Sequence, residues 1–485
     1  MKAFTKYIIV LMVAALALSA LAGCAPKATP EPTQAVVQEQ PTAEPVVEPT
    51  AAPVVEPTAA PVEEKQPVTI RYAAHNLGTE EENNAERQMI AAYMALNPHV
   101  TIEIVDMSAE GGWEANLTAY AAKGEFPDVY HAFNLPLYIQ NEWLADLTDV
   151  VAADPDWTKV PQALRDAITY DGVVYGVPSA QFIVGYIVNK DLFEKNNLDA
   201  PEYGFTIEEF EAAMKALHNP NGGVLGLDEI WPILGWYPNA VDKNLGWFSF
   251  DGEKVHYNSA AFKEAMAKTA EYAPYAWDTL TEEQKANFKA TGPWELFQNE
   301  EVGMRFEYSW SFPWYMENVD FEWDFVGIPG GNQALVYDFI GVGKTTQHLN
   351  EAYAFAKWMA FDPAGYAKRV EIAQTSNYLP FMPVAVDEES MALYLSFYKD
   401  KPGIAKALAN LDGSMIESVQ KGIPGFVNAR WEGNPGIVVA GEEVTRIDWF
   451  WNYANFGKFK YEDYSAQLEE YANKVLADAR AELKK

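Results

Sequence analysis

The sequence predicts an α/β protein, and three observations carry that prediction. Strand-like and helix-like patterns alternate from the start of the main body, the body is too long for one ordinary domain, and after the first two dozen residues no apolar run is long enough to cross a membrane. Strands separated by helices imply a parallel sheet, and ligands of such sheets gather at the carboxyl ends of the strands.

The chain opens with Lys2 and Lys6, an apolar run over 8–18, and then Leu21-Ala22-Gly23-Cys24. This pattern resembles a bacterial lipoprotein signal, which implies that residues 1–23 are removed and that Cys24 carries the lipid. Cys24 is the only cysteine, so an intramolecular disulfide and a cysteine-based metal or redox centre are excluded. Residues 24–67 are rich in Pro, Thr, Ala, Val and Glu, with the repeat EPTAAPVV then EPTAAPVE over 48–63. Proline at this density denies the segment helix and sheet, so it reads as a disordered tether with a reach of roughly 40 to 130 Å. The remainder, from residue 67, carries 31 basic and 62 acidic residues, a net charge of about −31. Such a surface repels nucleic acid and anionic lipid and fits a solvated exterior.

In the body, VTIRYAA (68–74) alternates as a strand, 80–96 has helical spacing ended by Asn97-Pro98, and TIEIVD (101–106) is a second strand. A second helix over 113–123 and a third strand, DVYHAF (128–133), follow. The strand ends expected to face a ligand are Asn76, the 107–113 loop, and Phe133-Asn134. Asp171-Gly172 is a hairpin signal, and Pro178 interrupts the strand pattern before 182–188 resumes it. Thr206-Ile207-Glu208-Glu209 is a capping box opening a helix with Phe210, Met214 and Leu217 on one face. From Asn350 another amphipathic helix places Tyr353, Ala356, Trp358 and Met359 together.

The ordered series NPHVTIEIV, AAKGEFPDV, NEWLADLTDVV, DGVVYGVP, NKDLFEKNNLDAP with TIEEFEAAMKAL, and EAYAFAKWM with SNYLP resembles the extracellular solute-binding proteins of carbohydrate ABC importers, the family of maltodextrin-binding protein. The resemblance covers about 68–476. It implies a two-lobed periplasmic-binding-protein type II fold with three interlobe crossings: lobe 1 from 68–180 plus 341–396, lobe 2 from 181–340 plus 397–485, with the third crossing near 397–402. It also implies a monomer held outside the cell membrane, on the periplasmic side where there are two membranes, by its lipid alone, with a membrane permease as partner.

One motif pulls elsewhere. DFIGVGKTT (338–346) ends like a phosphate-binding loop, but the required first glycine falls at Asp338, whose carboxylate repels phosphate. By the resemblance this stretch is the second crossing, with Gly341 and Gly343 supplying hinge flexibility and Asp338 facing the cleft.

A sugar offers flat C–H faces that stack on aromatic rings and a rim of hydroxyls that donate and accept hydrogen bonds. Aromatic residues make up 14% of this chain. Strand ends put Asn76 and Asn134 in the cleft, and the resemblance adds Trp236 and Tyr237 as second-lobe stacking rings, with Trp310 as another. Trp113, Gln181, Asp338, Tyr378 and Trp431 complete the candidate ligand-binding set. A disaccharide held at about 0.3 kcal/mol per heavy atom binds near 10 μM or tighter. No catalytic residue, metal or cofactor is expected: H-E-x-x-H and G-x-S-x-G are absent and the six histidines are scattered. The alternatives are a secreted carbohydrate-active hydrolase, for which two carboxylates suffice, and a binder of a cationic or peptide ligand, which Asp338 and aromatic rings suit.

Overall fold

The computed structural model describes residues 66–376 and 378–483. The leader, Cys24 and the tether to residue 65 lie outside them. Among the described residues no helix is long and apolar enough to cross a membrane.

The predicted opening alternation forms a parallel sheet. Strand β1 (Val68–Ala73) pairs with β2 (Val100–Ile104) and with β3 (Val129–His131), both in parallel. Helix α1 (Ala85–Leu96) connects the first two strands and begins later than the helical spacing suggested. The reason is local: Asn83 and Gly78 take positive φ, and the Asn84 side chain caps the helix by accepting from the Arg87 N–H. Helix α2 (Trp113–Lys123) ends at Gly124, which adopts the left-handed conformation that favours glycine. Helix α3 (Leu135–Gln140) follows β3.

The second half of the sheet is antiparallel. Strand β4 (Val177–Asn189) pairs with β5 (Met304–Tyr308), β6 (Trp323–Gly327) and β7 (Ala334–Val342). Pro178 does not end the strand as expected. It sits inside β4 at a register shift between Pro178 and Ala180, where a residue without an N–H is tolerated. Strand β7 also pairs with β3, with Val129 opposite Val342, and so joins the two halves.

Two hydrophobic cores result. Ile70, Tyr72, Val129, Ile340 and Phe355 belong to one, and Tyr186, Phe210, Trp236, Trp247 and Phe306 to the other. Strand alternation splits β4 between them, with Ile183 and Ile187 in the first and Phe182, Val184 and Tyr186 in the second. Helix α4 (Ile207–Leu217) has both bonds of its predicted capping box and buries Phe210, Met214 and Leu217. Helices α5 (Ile233–Val241) and α6 (Ala260–Tyr272) pack on each other beside it. Helix α7 (Phe312–Asn318) leads into β6. Helix α8 (Leu349–Ala360) buries the predicted face and packs on α9 (Pro363–Ser376). Helix α10 (Glu388–Leu395) rests on α9, whereas α11 (Pro402–Leu408) rests on β6, so the chain changes neighbours between 395 and 402. The short strand β8 (Met415–Ile416) then adds to β7, and the chain ends in helix α12 (Ser465–Leu483).

The glycines of DFIGVGKTT also have a packing role. Neither takes positive φ. A Cβ on Gly341 would lie 2.6 Å from the Leu144 side chain and 2.9 Å from Tyr130, and one on Gly343 would lie 2.4 Å from the Pro127 carbonyl. They permit close packing. Lys344 pairs with Glu142 at 2.8 Å, so it is not held free for an anion.

Candidate functional site

A cavity of about 760 Å³ opens at the carboxyl ends of β1 and β3 and against one face of β7. Alternation along β7 decides which of its residues take part: Val336, Asp338 and Ile340 line the cavity, while Tyr337 and Phe339 face away from it.

Four of the ten expected residues line this cavity. The Asn76 carboxamide oxygen is buried without a hydrogen-bond partner among the described residues. Trp310 is 38% exposed, stacks on Tyr308 at 4.1 Å and 11°, and meets Phe182 edge-on at 5.1 Å. Asp338 receives the Lys421 ammonium at 2.5 Å. Tyr378 is half-exposed at the rim.

The other six are placed elsewhere, each for a visible reason. Trp113 stands behind the wall, donating from Nε1 to the His131 carbonyl at 3.2 Å and meeting Phe133 edge-on. Asn134 caps α3, its side-chain oxygen accepting from the Leu137 N–H. Gln181 is buried and donates to the Pro383 carbonyl. Trp236 is fully buried, with Nε1 donating to the Tyr186 hydroxyl at 3.2 Å and its ring against Phe210. Tyr237 is buried too, its hydroxyl donating to Glu264 at 2.9 Å. Trp431 covers the Arg430 guanidinium at 4.1 Å.

Phe133, at an expected strand end, lines the cavity, and several further lining residues were not anticipated. His75 and His131 come from the same strand ends, and the DVYHAF alternation contained that signal. Tyr308 ends β5, and Trp310 follows two residues later in a 3-10 turn. Arg369 comes from α9 and is paired with Glu86 of α1 in a buried, two-bond ion pair, its guanidinium also lying 4.6 Å from the Phe381 ring. Glu417, Gln420 and Lys421 come from the turn after β8. The Gln420 side-chain oxygen is also buried without a partner among the described residues.

His75 and His131 meet through their Nδ1 atoms at 2.7 Å, one ring donating and the other accepting. Burial first, and then the neighbouring His75 ring, push the His131 pKa down to about 3. Burial also lowers that of His75. The pair is therefore neutral near pH 7. Unfolded His131 titrates near 6.5, so the unfolded state binds more protons between pH 6.5 and 3, and stability falls as pH drops through that window. The expected loss by pH 4 is about 2–3 kcal/mol. His131→Gln is expected to flatten this part of the pH dependence, as read from urea midpoints at pH 7, 5.5 and 4.

Comparison with known proteins adds three findings. A family model described as bacterial extracellular solute-binding protein matches residues 88–406. The maltotriose-binding protein of Pyrococcus abyssi is 24% identical over 310 residues, covering 61% of this chain and 63% of that protein, so the match spans less than two thirds of the relative's length. Among solved structures, an ABC substrate-binding protein of Listeria monocytogenes in complex with cycloalternan is similar with a TM-score of 0.64 and 21% identity, covering 85% of this chain and all of that one. UgpB of Mycobacterium tuberculosis in complex with glycerophosphocholine is similar with a TM-score of 0.60 and 14% identity, covering 85% of this chain and 99% of that one.

Proposed function

The chain belongs to the bacterial extracellular solute-binding proteins, and from that premise we propose that it captures a sugar or oligosaccharide in the cavity and delivers it to the membrane permease of an ABC importer. The observation that carries this reading is the Tyr308–Trp310 platform. A half-exposed indole backed by a parallel ring offers a flat apolar face to a pyranose, while the unpaired oxygens of Asn76 and Gln420 await donors such as ring hydroxyls. Asn76, Trp310, Asp338 and Tyr378 are the ligand-binding residues carried forward from the sequence. The maltotriose-binding relative and the cycloalternan complex support a saccharide.

The cavity's ion pairs weigh against the rivals. A glycoside hydrolase needs an acid and a second carboxylate flanking the bond. Of the three carboxylates lining the cavity, Glu86 is engaged by Arg369 and Asp338 by Lys421, leaving Glu417. These pairings support a protein that acts by binding, without chemistry. Neutralisation of Asp338 also removes the charge on which a cationic ligand would have relied.

Residues 1–23 act as the leader and Cys24 as the lipidated anchor, holding a monomer outside the membrane. The lobes comprise 68–180 plus 341–396 and 181–340 plus 397–485, and their closure sequesters the ligand. The change of neighbours between α10 and α11 supports that division. A tryptophan-fluorescence titration against mono- and oligosaccharides tests the reading. Saturation by one sugar class in the micromolar range is the expected result, and a flat response to the whole panel would overturn it.

A further inference from the structure

The parallel pairing of β1 with β3 sets Tyr72 opposite Val129, so Tyr72 and His131, two residues further on, share one face of the sheet. His75 follows just beyond β1, and all three residues line the cavity. Their side chains form one hydrogen-bonded row. The Tyr72 hydroxyl lies 3.3 Å from His131 Nε2, and His131 Nδ1 lies 2.7 Å from His75 Nδ1. Neighbouring aromatic residues hold the row in place: Trp113 donates to the His131 carbonyl at 3.2 Å, and the Phe133 ring meets His75 edge-on at 5.2 Å.

A contact between two ring nitrogens needs one N–H and one lone pair, so a neutral pair allows two proton arrangements, running in opposite directions along the row. Tyr72 decides between them. It is fully buried, and His131 Nε2 is the sole hydrogen-bond partner of its hydroxyl among the described residues. Glu86, a carboxylate that also lines the cavity, is committed to Arg369. If His131 Nε2 carried the proton, the Tyr72 O–H would be buried without an acceptor, which folded proteins avoid. In the other direction every buried donor of the row is satisfied. Tyr72 O–H donates to His131 Nε2, His131 Nδ1–H donates to His75 Nδ1, and the proton of His75 is left on Nε2. The His75 side chain is exposed at the cavity wall, and Nδ1 is its only engaged ring nitrogen among the described residues.

We propose that His75 is a ligand-binding residue whose tautomer is fixed by Tyr72 and His131, so that a neutral Nε2–H donor faces the cleft and holds an oxygen of the bound saccharide. Tyr72 and His131 are then positioning residues. The opposite tautomer would present a lone pair, which suits a metal ion or an ammonium, whereas an N–H selects an acceptor such as a hydroxyl, ring or glycosidic oxygen. The proposal deepens the saccharide reading and rests on it for the ligand, while the tautomer is measured without one.

The test has two parts, both on the full chain. Long-range proton–nitrogen correlation spectra of histidine-labelled protein near pH 7 read which nitrogen of each ring is protonated, with His75→Gln identifying the signals. His75 is expected to carry its proton on Nε2 and His131 on Nδ1. Tyr72→Phe, which keeps the ring and removes the hydroxyl, is expected to give a mixture of both tautomers. Calorimetric titration with maltotriose, xylotriose and cellotriose then reads the donor. His75→Met is expected to weaken the sugar that binds best about 3- to 10-fold, and His75→Gln, whose amide N–H stands in for the ring Nε2–H, to recover most of that loss. Thermal melts identify any folding loss. A wild-type His75 protonated on Nδ1 would overturn the proposal. The expected tautomer with unchanged affinity in His75→Met would remove His75 from ligand binding and leave the saccharide reading standing. Binding of none of the three sugars would instead defeat the saccharide reading, and the ligand assigned to His75 with it, whichever tautomer is found.

Discussion

Replacing Arg369 with methionine is expected to lower the unfolding free energy by about 3–5 kcal/mol, because it strands the Glu86 carboxylate in a buried site. Both side chains of the pair are 8% exposed, and Arg369 also donates to the Met359 carbonyl. The pair ties α9 to the first turn of α1 beside the cavity. Removing both charges together, as Glu86→Leu with Arg369→Met, is expected to recover most of the loss, since no unpaired buried charge then remains. Urea denaturation of the two variants measures the difference.

Trp236→Ala and Trp310→Ala are expected to act on opposite properties. Trp236 is fully buried against Tyr186 and Phe210, so its removal leaves a core cavity and costs about 3–5 kcal/mol of stability while leaving the affinity of the folded protein unchanged. Trp310 presents a half-exposed face to the cleft. Its removal is expected to shift stability by less than about 1 kcal/mol and to weaken saccharide binding about 10-fold or more through the lost stacking surface. Thermal melts and calorimetric titrations on both variants separate the two effects.

That contrast also marks how far the sequence could be read. The β–α–β order, the capping box at Thr206 and the strand ends at Asn76 and Phe133 rest on local patterns, and the structure has each where local rules put it. Trp236 and Trp310 both occur in aromatic-rich segments, and a resemblance alone could not separate them. A closer reading of spacing points the right way for Trp236. Ile233, Trp236 and Tyr237 recur at helical intervals, so they form the apolar stripe of α5 and go into the core. Glu417, Gln420 and Lys421 were illegible for a different reason. They reach the cavity because β8 pairs with β7, with Met415 opposite Ala334, a partnership across about eighty residues that no local pattern announces. The packing constraint on Gly341 was illegible because it comes from Tyr130 and Leu144, which only the folded sheet brings beside it.

The most direct measurement is a crystal structure of the protein with the saccharide that binds best in titration. The predicted result is a sugar ring stacked on Trp310, within hydrogen-bond distance of Asn76 and of the turn carrying Glu417 and Gln420, inside the cavity between the β1 and β3 ends and β7. A sugar bound anywhere else, or stacked on no aromatic ring of this cavity, would contradict the assignment of the site.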